Sequence, residues 1–86
     1  MKASQLYELL ERQGFRCALS GQLLEPSTAS IDHIRPISGG GEHEIGNLQW
    51  VTNNINRAKG RMSNDEFINM CLMVAERYRQ SKSEAA

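Results

Sequence analysis

The chain has 86 residues, of which 40% are hydrophobic and 23% charged, with equal numbers of acidic and basic side chains. This length fits one small domain, predicted here to span residues 1–86, near the lower limit for a chain that folds alone. No apolar run approaches the ~20 residues that cross a bilayer, and no signal peptide is evident. The composition therefore excludes a membrane-spanning protein and predicts a cytoplasmic one, while the zero net charge decides nothing about nucleic acid.

The first third of the chain predicts a helix followed by a short hairpin. Apolar side chains at helical spacing predict a helix over residues 3–13, ended by Gly14, and the pattern rests on Ala3, Leu6, Tyr7 and Leu10. Residues 15–24 predict an irregular or hairpin segment with a turn at Ser20-Gly21.

The middle of the chain predicts strand, loop, strand and short helix. Alternating and β-branched side chains predict a strand over residues 28–34, which Pro36 ends because proline has no N–H to donate. Glycine-rich residues 38–46 predict a flexible loop, and residues 48–52 predict a second strand. Residues 53–59 predict a helix of about two turns, with Asn53 or Asn54 as its N-cap.

The last element is a helix predicted over residues 64–80, which begins at a capping box from Ser63 to Glu66. Its apolar residues are more numerous than one core-facing stripe requires. Packing against the core is the simplest explanation of this face. The alternative is packing against the same helix of a second copy, which would form a homodimer. Residues 81–86 predict a frayed tail.

Four features that could take part in a reaction follow one another along the chain: Asp32-His33, the glycine-rich loop, Asn47-Leu48-Gln49, and the segment from Asn56 to Gly60. Hydrolysis of a phosphodiester needs a base for water, a cation for the charge on the phosphate, and groups that hold the backbone. A neutral histidine is a suitable base, and carboxylate and amide oxygens are hard ligands that suit Mg²⁺ or Mn²⁺. These residue types match that chemistry.

The order and spacing of these features resemble the HNH, or ββα-metal, nuclease family. That family has an Asp-His or His-His pair on its first strand, an Asn before Leu-Gln, and a His or Asn on the following helix. Here Asn47 and Asn56 are nine residues apart, as in the family, and the resemblance covers about residues 15–61. It implies an α+β fold with a ββα-metal core, made of a short two-stranded sheet and a helix and flanked by N- and C-terminal helices.

The resemblance also implies an endonuclease that hydrolyses DNA with the help of one divalent metal ion. It makes Asp32 and Asn56 the metal ligands and His33 the general base that activates water. It makes Asn47 the structural asparagine that ties the loop together and orients the histidine. Asn56 in place of a histidine is similar to the His-Asn-Asn variants, including the HNH domains of RNA-guided nucleases, and favours Mg²⁺ or Mn²⁺ over a softer metal.

Many family members carry two C-x-x-C knuckles that bind a structural zinc around this motif. The corresponding positions here are Cys17, Ser20, Thr52 and Ile55, which offer one thiol of the four that a tetrahedral site needs. We therefore expect no structural zinc. We expect the terminal helices to supply the missing apolar contacts instead.

Several side chains near the motif have a functional and an ordinary interpretation. Four basic residues are candidates to hold DNA phosphate, against the alternative of a solvated helix face: Arg57, Lys59 and Arg61, with Arg35 a weaker candidate. His43 in the loop is either solvated or a supporting residue beside the metal. Trp50 is expected in the core rather than stacked on a base.

Two non-enzymatic alternatives compete with the nuclease. One is a catalytically silent DNA-binding module on the same fold, and the other is a protein-interaction domain that uses the last helix. The presence of both the candidate base and the candidate ligands favours the enzyme.

Overall fold

A two-stranded antiparallel sheet forms the centre of the fold, and three helices are attached to it. The computed structural model describes the backbone of residues 2–85 and the side chains of residues 2–82. Its elements are α1 (Ala3–Arg12), β1 (Ala29–His33), β2 (Leu48–Thr52), α2 (Asn53–Lys59) and α3 (Asn64–Ala85), with short 3₁₀ turns at Ile37–Gly39 and Ile45–Asn47. The fold is α+β with a small ββα core, as predicted.

The register of the sheet places the candidate site at one end of β1. Asp32 lies opposite Gln49 and His33 opposite Leu48. β1 ends at His33, close to the end predicted from Pro36. Before β1, a bridge between residues 16 and 23 confirms the predicted hairpin.

The chain passes from β2 into α2 without a loop. The Thr52 hydroxyl accepts a hydrogen bond from the Ile55 N–H at 3.3 Å, so Thr52 is the N-cap. The prediction of Asn53 or Asn54 as the cap was therefore wrong. The Asn53 side chain instead bonds to the Ser30 hydroxyl and the Ser27 carbonyl, which fixes the start of α2 against β1.

A small apolar core lies between the hairpin, the sheet and α1. Its buried members are Cys17, Leu24 and Val51, and the partly buried residues that pack against them include Leu10, Trp50 and Ile55. The indole N–H of Trp50 donates to the Leu6 carbonyl of α1 at 2.9 Å. Trp50 therefore belongs to the core, as predicted, and α1 supplies apolar contacts to it.

The four positions that correspond to zinc ligands in the family meet around Cys17. The Ser20 N–H donates to Cys17 Sγ at 3.5 Å, and Ile55 packs against the same cluster. Burial raises the pKa of the Cys17 thiol, but hydrogen bonds from Ser20, and then from the backbone of Leu19 and Thr52, outweigh it, so the net pKa is below its usual value of 9.0. A buried thiol held by hydrogen bonds and apolar contacts thus occupies this corner.

The first turn of α3 follows its prediction, and the rest of the helix does not. The Ser63 hydroxyl accepts from the Glu66 N–H at 3.2 Å, and the Glu66 carboxylate accepts from the Ser63 N–H at 3.0 Å, which is the predicted capping box. Phe67 is buried, but the apolar residues beyond it are 40–73% exposed: Ile68, Met70, Leu72, Met73, Val74 and Tyr78. The expectation that this face packs into the core was wrong, because the helix leaves the body of the fold after its first turn.

The end of α3 also differs from the prediction. The helix continues to Ala85 rather than ending at residue 80, so the predicted fraying of residues 81–85 was wrong, and residue 86 lies outside the described residues. Within the described chain, no helix combines the length and the apolar character needed to cross a membrane.

Candidate functional site

Asp32 and His33 line the same cleft at the end of β1. Successive side chains of a strand point to opposite faces, so a neighbouring pair can share a site only where the strand ends or twists. β1 ends at His33, and both residues open onto a cleft of about 390 Å³ whose wall also includes Ser38, Gly60 and Arg61. The structure therefore brings together the candidate base, one candidate ligand and one candidate phosphate-binding residue.

The Asp32 carboxylate is buried, and only one of its oxygens is engaged. Its Oδ2 accepts from Lys59 Nζ at 2.8 Å and from Gln49 Nε2 at 2.9 Å. Its Oδ1 has no hydrogen bond within the described residues. Every fully buried side-chain nitrogen or oxygen of the described residues has a hydrogen-bond partner, so Oδ1, which has none, is reached by solvent. One carboxylate oxygen is thus available to a cation.

Lys59 is buried beneath the site and is not part of its surface. Its side chain is 1% exposed, and besides the ion pair with Asp32 its Nζ donates to the His33 carbonyl at 2.6 Å. The prediction that Lys59 contacts DNA phosphate was wrong, because the ammonium group is enclosed and its hydrogen bonds go to β1. One cation from α2 therefore fixes both residues of the Asp-His pair.

Gln49 and Asn64 connect the site to the start of α3. The Gln49 amide donates to Asn64 Oδ1 at 2.8 Å and accepts from Asn64 Nδ2 at 3.0 Å, in addition to its bond with Asp32. The Asn64 N–H donates to the Ile34 carbonyl at 3.0 Å. Sequence reasoning assigned neither residue a role. The sequence signal that could have identified Gln49 is its place in the Asn-Leu-Gln motif, on the strand that pairs with the Asp-His strand.

Asn47 closes the loop between the two strands. Its Oδ1 accepts from the Arg35 N–H at 2.9 Å, and its Nδ2 donates to the carbonyls of Arg35 at 2.9 Å and Glu42 at 2.7 Å. Gly41 lies inside this clamp, and a Cβ there would fall 2.0 Å from the Arg35 carbonyl oxygen. One side chain at the end of the loop predicted to be flexible thus ties it to Arg35, just before its start, and to Glu42, near its middle.

Asn56 lies on α2 and does not line the cleft. It comes three residues before Lys59, and residues three apart share a helix face, so it is on the side of α2 that packs against β1. Its side chain is half-buried and makes no hydrogen bond within the described residues. No group of three or more His, Cys, Asp or Glu residues able to hold a metal occurs among the described residues. Any ion here would therefore rely on one carboxylate, with amide, water and phosphate oxygens.

The other basic candidates are dispersed. Arg61 is exposed and lines the Asp32–His33 cleft. Arg57 bonds to Asn54 Oδ1 at 2.8 Å and lines a different groove. Arg35 donates from Nε to the Gly39 carbonyl at 3.2 Å. Of the four predicted residues, the structure therefore places Arg61 alone in the wall of the candidate cleft.

His43 reaches from the loop to His33. His33 Nε2 and His43 Nδ1 are 3.0 Å apart, and the ring centroids are 5.2 Å apart. His43 is exposed and lies between Glu42 and Glu44 in the chain. A hydrogen bond with Glu42, and repulsion from its charge, raise the pKa of Glu44. Although His43 is exposed, its ring has a protein partner in His33.

Comparison with known proteins supports the fold assignment. The structure is similar to part of the Type II-C Cas9 enzyme from Actinomyces naeslundii, with a TM-score of 0.70 and 31% sequence identity over 78% of this chain. The chain spans 7% of the length of that protein. Cas9 contains an HNH nuclease domain, so the likeness is consistent with an HNH-like fold. No protein-family model and no curated protein matches the chain.

Proposed function

We propose that residues 1–86 form one HNH nuclease domain that hydrolyses DNA phosphodiester bonds with a divalent metal ion. The observation that carries the proposal is the shared cleft of Asp32 and His33, in which one oxygen of the buried carboxylate has no hydrogen bond to any described residue. The likeness to part of a Cas9 enzyme supports a nuclease fold. The DNA substrate and the divalent metal are what the resemblance to the HNH family implies.

The proposed roles follow from which atoms are already engaged. Asp32 Oδ1 and the Asn56 amide oxygen are hard donors without a partner within the described residues, so they fit Mg²⁺ or Mn²⁺. When bound, the ion would stabilise negative charge on the phosphate and the leaving oxygen. His33 takes a proton from the attacking water, and Arg61 holds a phosphate of the DNA. Asn47 holds the loop beside the base.

Lys59 lowers the negative charge of the proposed metal site. Its ammonium group already neutralises the Asp32 carboxylate, and no second carboxylate lines this cleft within the described residues. A site with little net negative charge attracts a dication weakly. We therefore propose that the metal binds tightly only when DNA phosphate completes its ligands, and that free protein binds Mg²⁺ weakly.

A plasmid-nicking assay with Mg²⁺, Mn²⁺ or EDTA tests the proposal. His33→Ala should lower kcat by roughly 10²–10⁴-fold, as loss of a general base does, while DNA affinity is unchanged. Asn56→Ala should raise the Mg²⁺ concentration needed for half-maximal nicking. Arg77→Ala, an exposed change on α3, is the matched control and should behave like wild type. Full nicking by His33→Ala, or by wild type in excess EDTA, would refute the mechanism.

The catalytically silent DNA-binding module is the second candidate. The observation that favours it is the ion pair with Lys59, which occupies one oxygen of the only carboxylate found in the cleft wall of the described chain. This candidate predicts DNA retardation in a gel that EDTA does not change, with no nicking in any metal.

The homodimer through α3 stays a prediction. The exposed apolar residues of this helix are compatible with a second copy of the chain. Sedimentation velocity checks it, because Leu72→Glu should convert a dimer to a monomer. A wild-type chain that sediments as a monomer at high concentration would contradict it.

A further inference from the structure

We propose that His43 is a positioning residue for His33. Its Nδ1 accepts the Nε2–H of His33, and this hydrogen bond leaves the lone pair of His33 on Nδ1, free to take a proton from water. The inference rests on the proposed function for its catalytic consequence. The hydrogen bond itself can be tested without any activity.

The geometry restricts where the protons lie. His33 Nε2 and His43 Nδ1 are 3.0 Å apart, a hydrogen-bond distance, so one of them donates and the other accepts. If His43 donates, neutral His33 carries its proton on Nδ1 and has no lone pair left for water. If His43 accepts, neutral His33 is the Nε2–H tautomer with a lone pair on Nδ1. The second arrangement alone gives His33 a free basic nitrogen.

The loop clamp explains how an exposed histidine can hold a fixed position. Asn47 Nδ2 binds the carbonyl of Glu42, the residue before His43. The Asn47 carbonyl accepts from the N–H of Ile34, the residue after His33, at 2.8 Å. Both histidines therefore lie next to residues that are bonded to the same asparagine. These hydrogen bonds restrain the backbone next to both rings without burying His43.

Two variants of His43 differ in whether they can accept a hydrogen bond from His33. His43→Leu fills similar space and cannot accept a hydrogen bond. His43→Asn places Oδ1 at about the position of the histidine Nδ1 and can accept from Nε2–H. A purely structural role of the ring would be lost in both variants, whereas a positioning role should be restored by asparagine.

Two measurements separate the hydrogen bond from its catalytic effect. Nitrogen-15 NMR of the neutral His33 ring should show a protonated Nε2 and a bare Nδ1 in wild type and His43→Asn, and a mixture of tautomers in His43→Leu. In the nicking assay, His43→Leu should lower kcat by about 10–100-fold, the range for loss of a group that orients a functional histidine, with KM for DNA unchanged. His43→Asn should recover most of that loss.

The outcomes distinguish this inference from the proposed function. A wild-type His33 with its proton on Nδ1, or a tautomer that His43→Leu does not change, would overturn the inference even if the protein cleaves DNA. A tautomer that changes as expected in a protein that never cleaves DNA would support the hydrogen bond and refute the nuclease. Unchanged Trp50 fluorescence and circular dichroism confirm that the variants fold.

Discussion

Lys59→Met should cost the fold much of its stability. The substitution keeps the length of the side chain and removes a buried cation, together with its hydrogen bonds to Asp32 and to the His33 carbonyl. Asp32, which is 7% exposed, then has a carboxylate without its cationic partner, and the Gln49 amide still donates to it. Breaking a buried ion pair in this way costs about 3–5 kcal/mol.

That loss is large for a chain of this length. Globular proteins have roughly 0.05–0.15 kcal/mol of stability per residue, so 86 residues have a total of about 4–13 kcal/mol. Lys59→Met should therefore remove at least about a fifth of the unfolding free energy. A divalent cation on Asp32 would replace part of the missing charge, so Mg²⁺ at ten times its dissociation constant from the variant should restore about 1.4 kcal/mol.

Urea unfolding, followed by the fluorescence of the single tryptophan Trp50, measures the effect. Arg57→Met changes an exposed residue of the same helix and should stay within about 0.5 kcal/mol of wild type. Adding Asp32→Asn to Lys59→Met should recover part of the loss, because no unpaired charge then stays buried. If Lys59→Met unfolds within about 1 kcal/mol of wild type, the pair does not hold the site and the reasoning fails.

Three further predictions concern the loop and α3. Gly41→Ala places a Cβ 2.0 Å from the Arg35 carbonyl oxygen and should cost roughly 1–3 kcal/mol by overpacking, whereas Gly39→Ala meets only the ring of Pro36, at 3.5 Å, and should melt like wild type. The pKa of Glu66 is below its ordinary value of 4.5 because of hydrogen bonds from Ser63, so its contribution is complete above that value and is lost as the pH falls through the lowered pKa. Circular dichroism should show this acid step in wild type and not in Glu66→Gln. Ending the chain after residue 73 removes a segment whose described side chains are all exposed, and should change the unfolding free energy by less than about 0.5 kcal/mol; a larger loss would mean that this part of α3 is covered.

Sequence reasoning placed the residues whose role depends on local structure. Asp32, His33 and Asn47 were singled out because the order and spacing of their motif resemble the HNH family. The end of the strand near Pro36 is what lets Asp32 and His33 share one cleft. Lys59 could not be assigned in the same way. A basic residue on a short helix is ordinarily solvated, and its burial depends on which turn of α2 meets β1, a tertiary fact with no local signal.

The last helix also shows that local sequence does not predict tertiary contacts. Periodicity predicts which side chains share a face, but not whether another element covers that face. The capping box, which involves neighbours in sequence, was confirmed at Ser63 and Glu66. The contacts of the later turns would have to come from distant parts of the chain, and the structure shows residues 68–82 exposed.

The ion pair between Asp32 and Lys59 should respond differently to different kinds of selection. Replacing both members of a buried ion pair by apolar residues of similar volume is often neutral or stabilising by about 1–4 kcal/mol. A library selected for heat resistance alone should therefore drift towards apolar residues at both positions. A library selected for DNA cleavage should keep both charges, because only the ionised carboxylate can serve the cleft. Sequencing the survivors of the two selections would show whether these two charges are retained for folding or for chemistry.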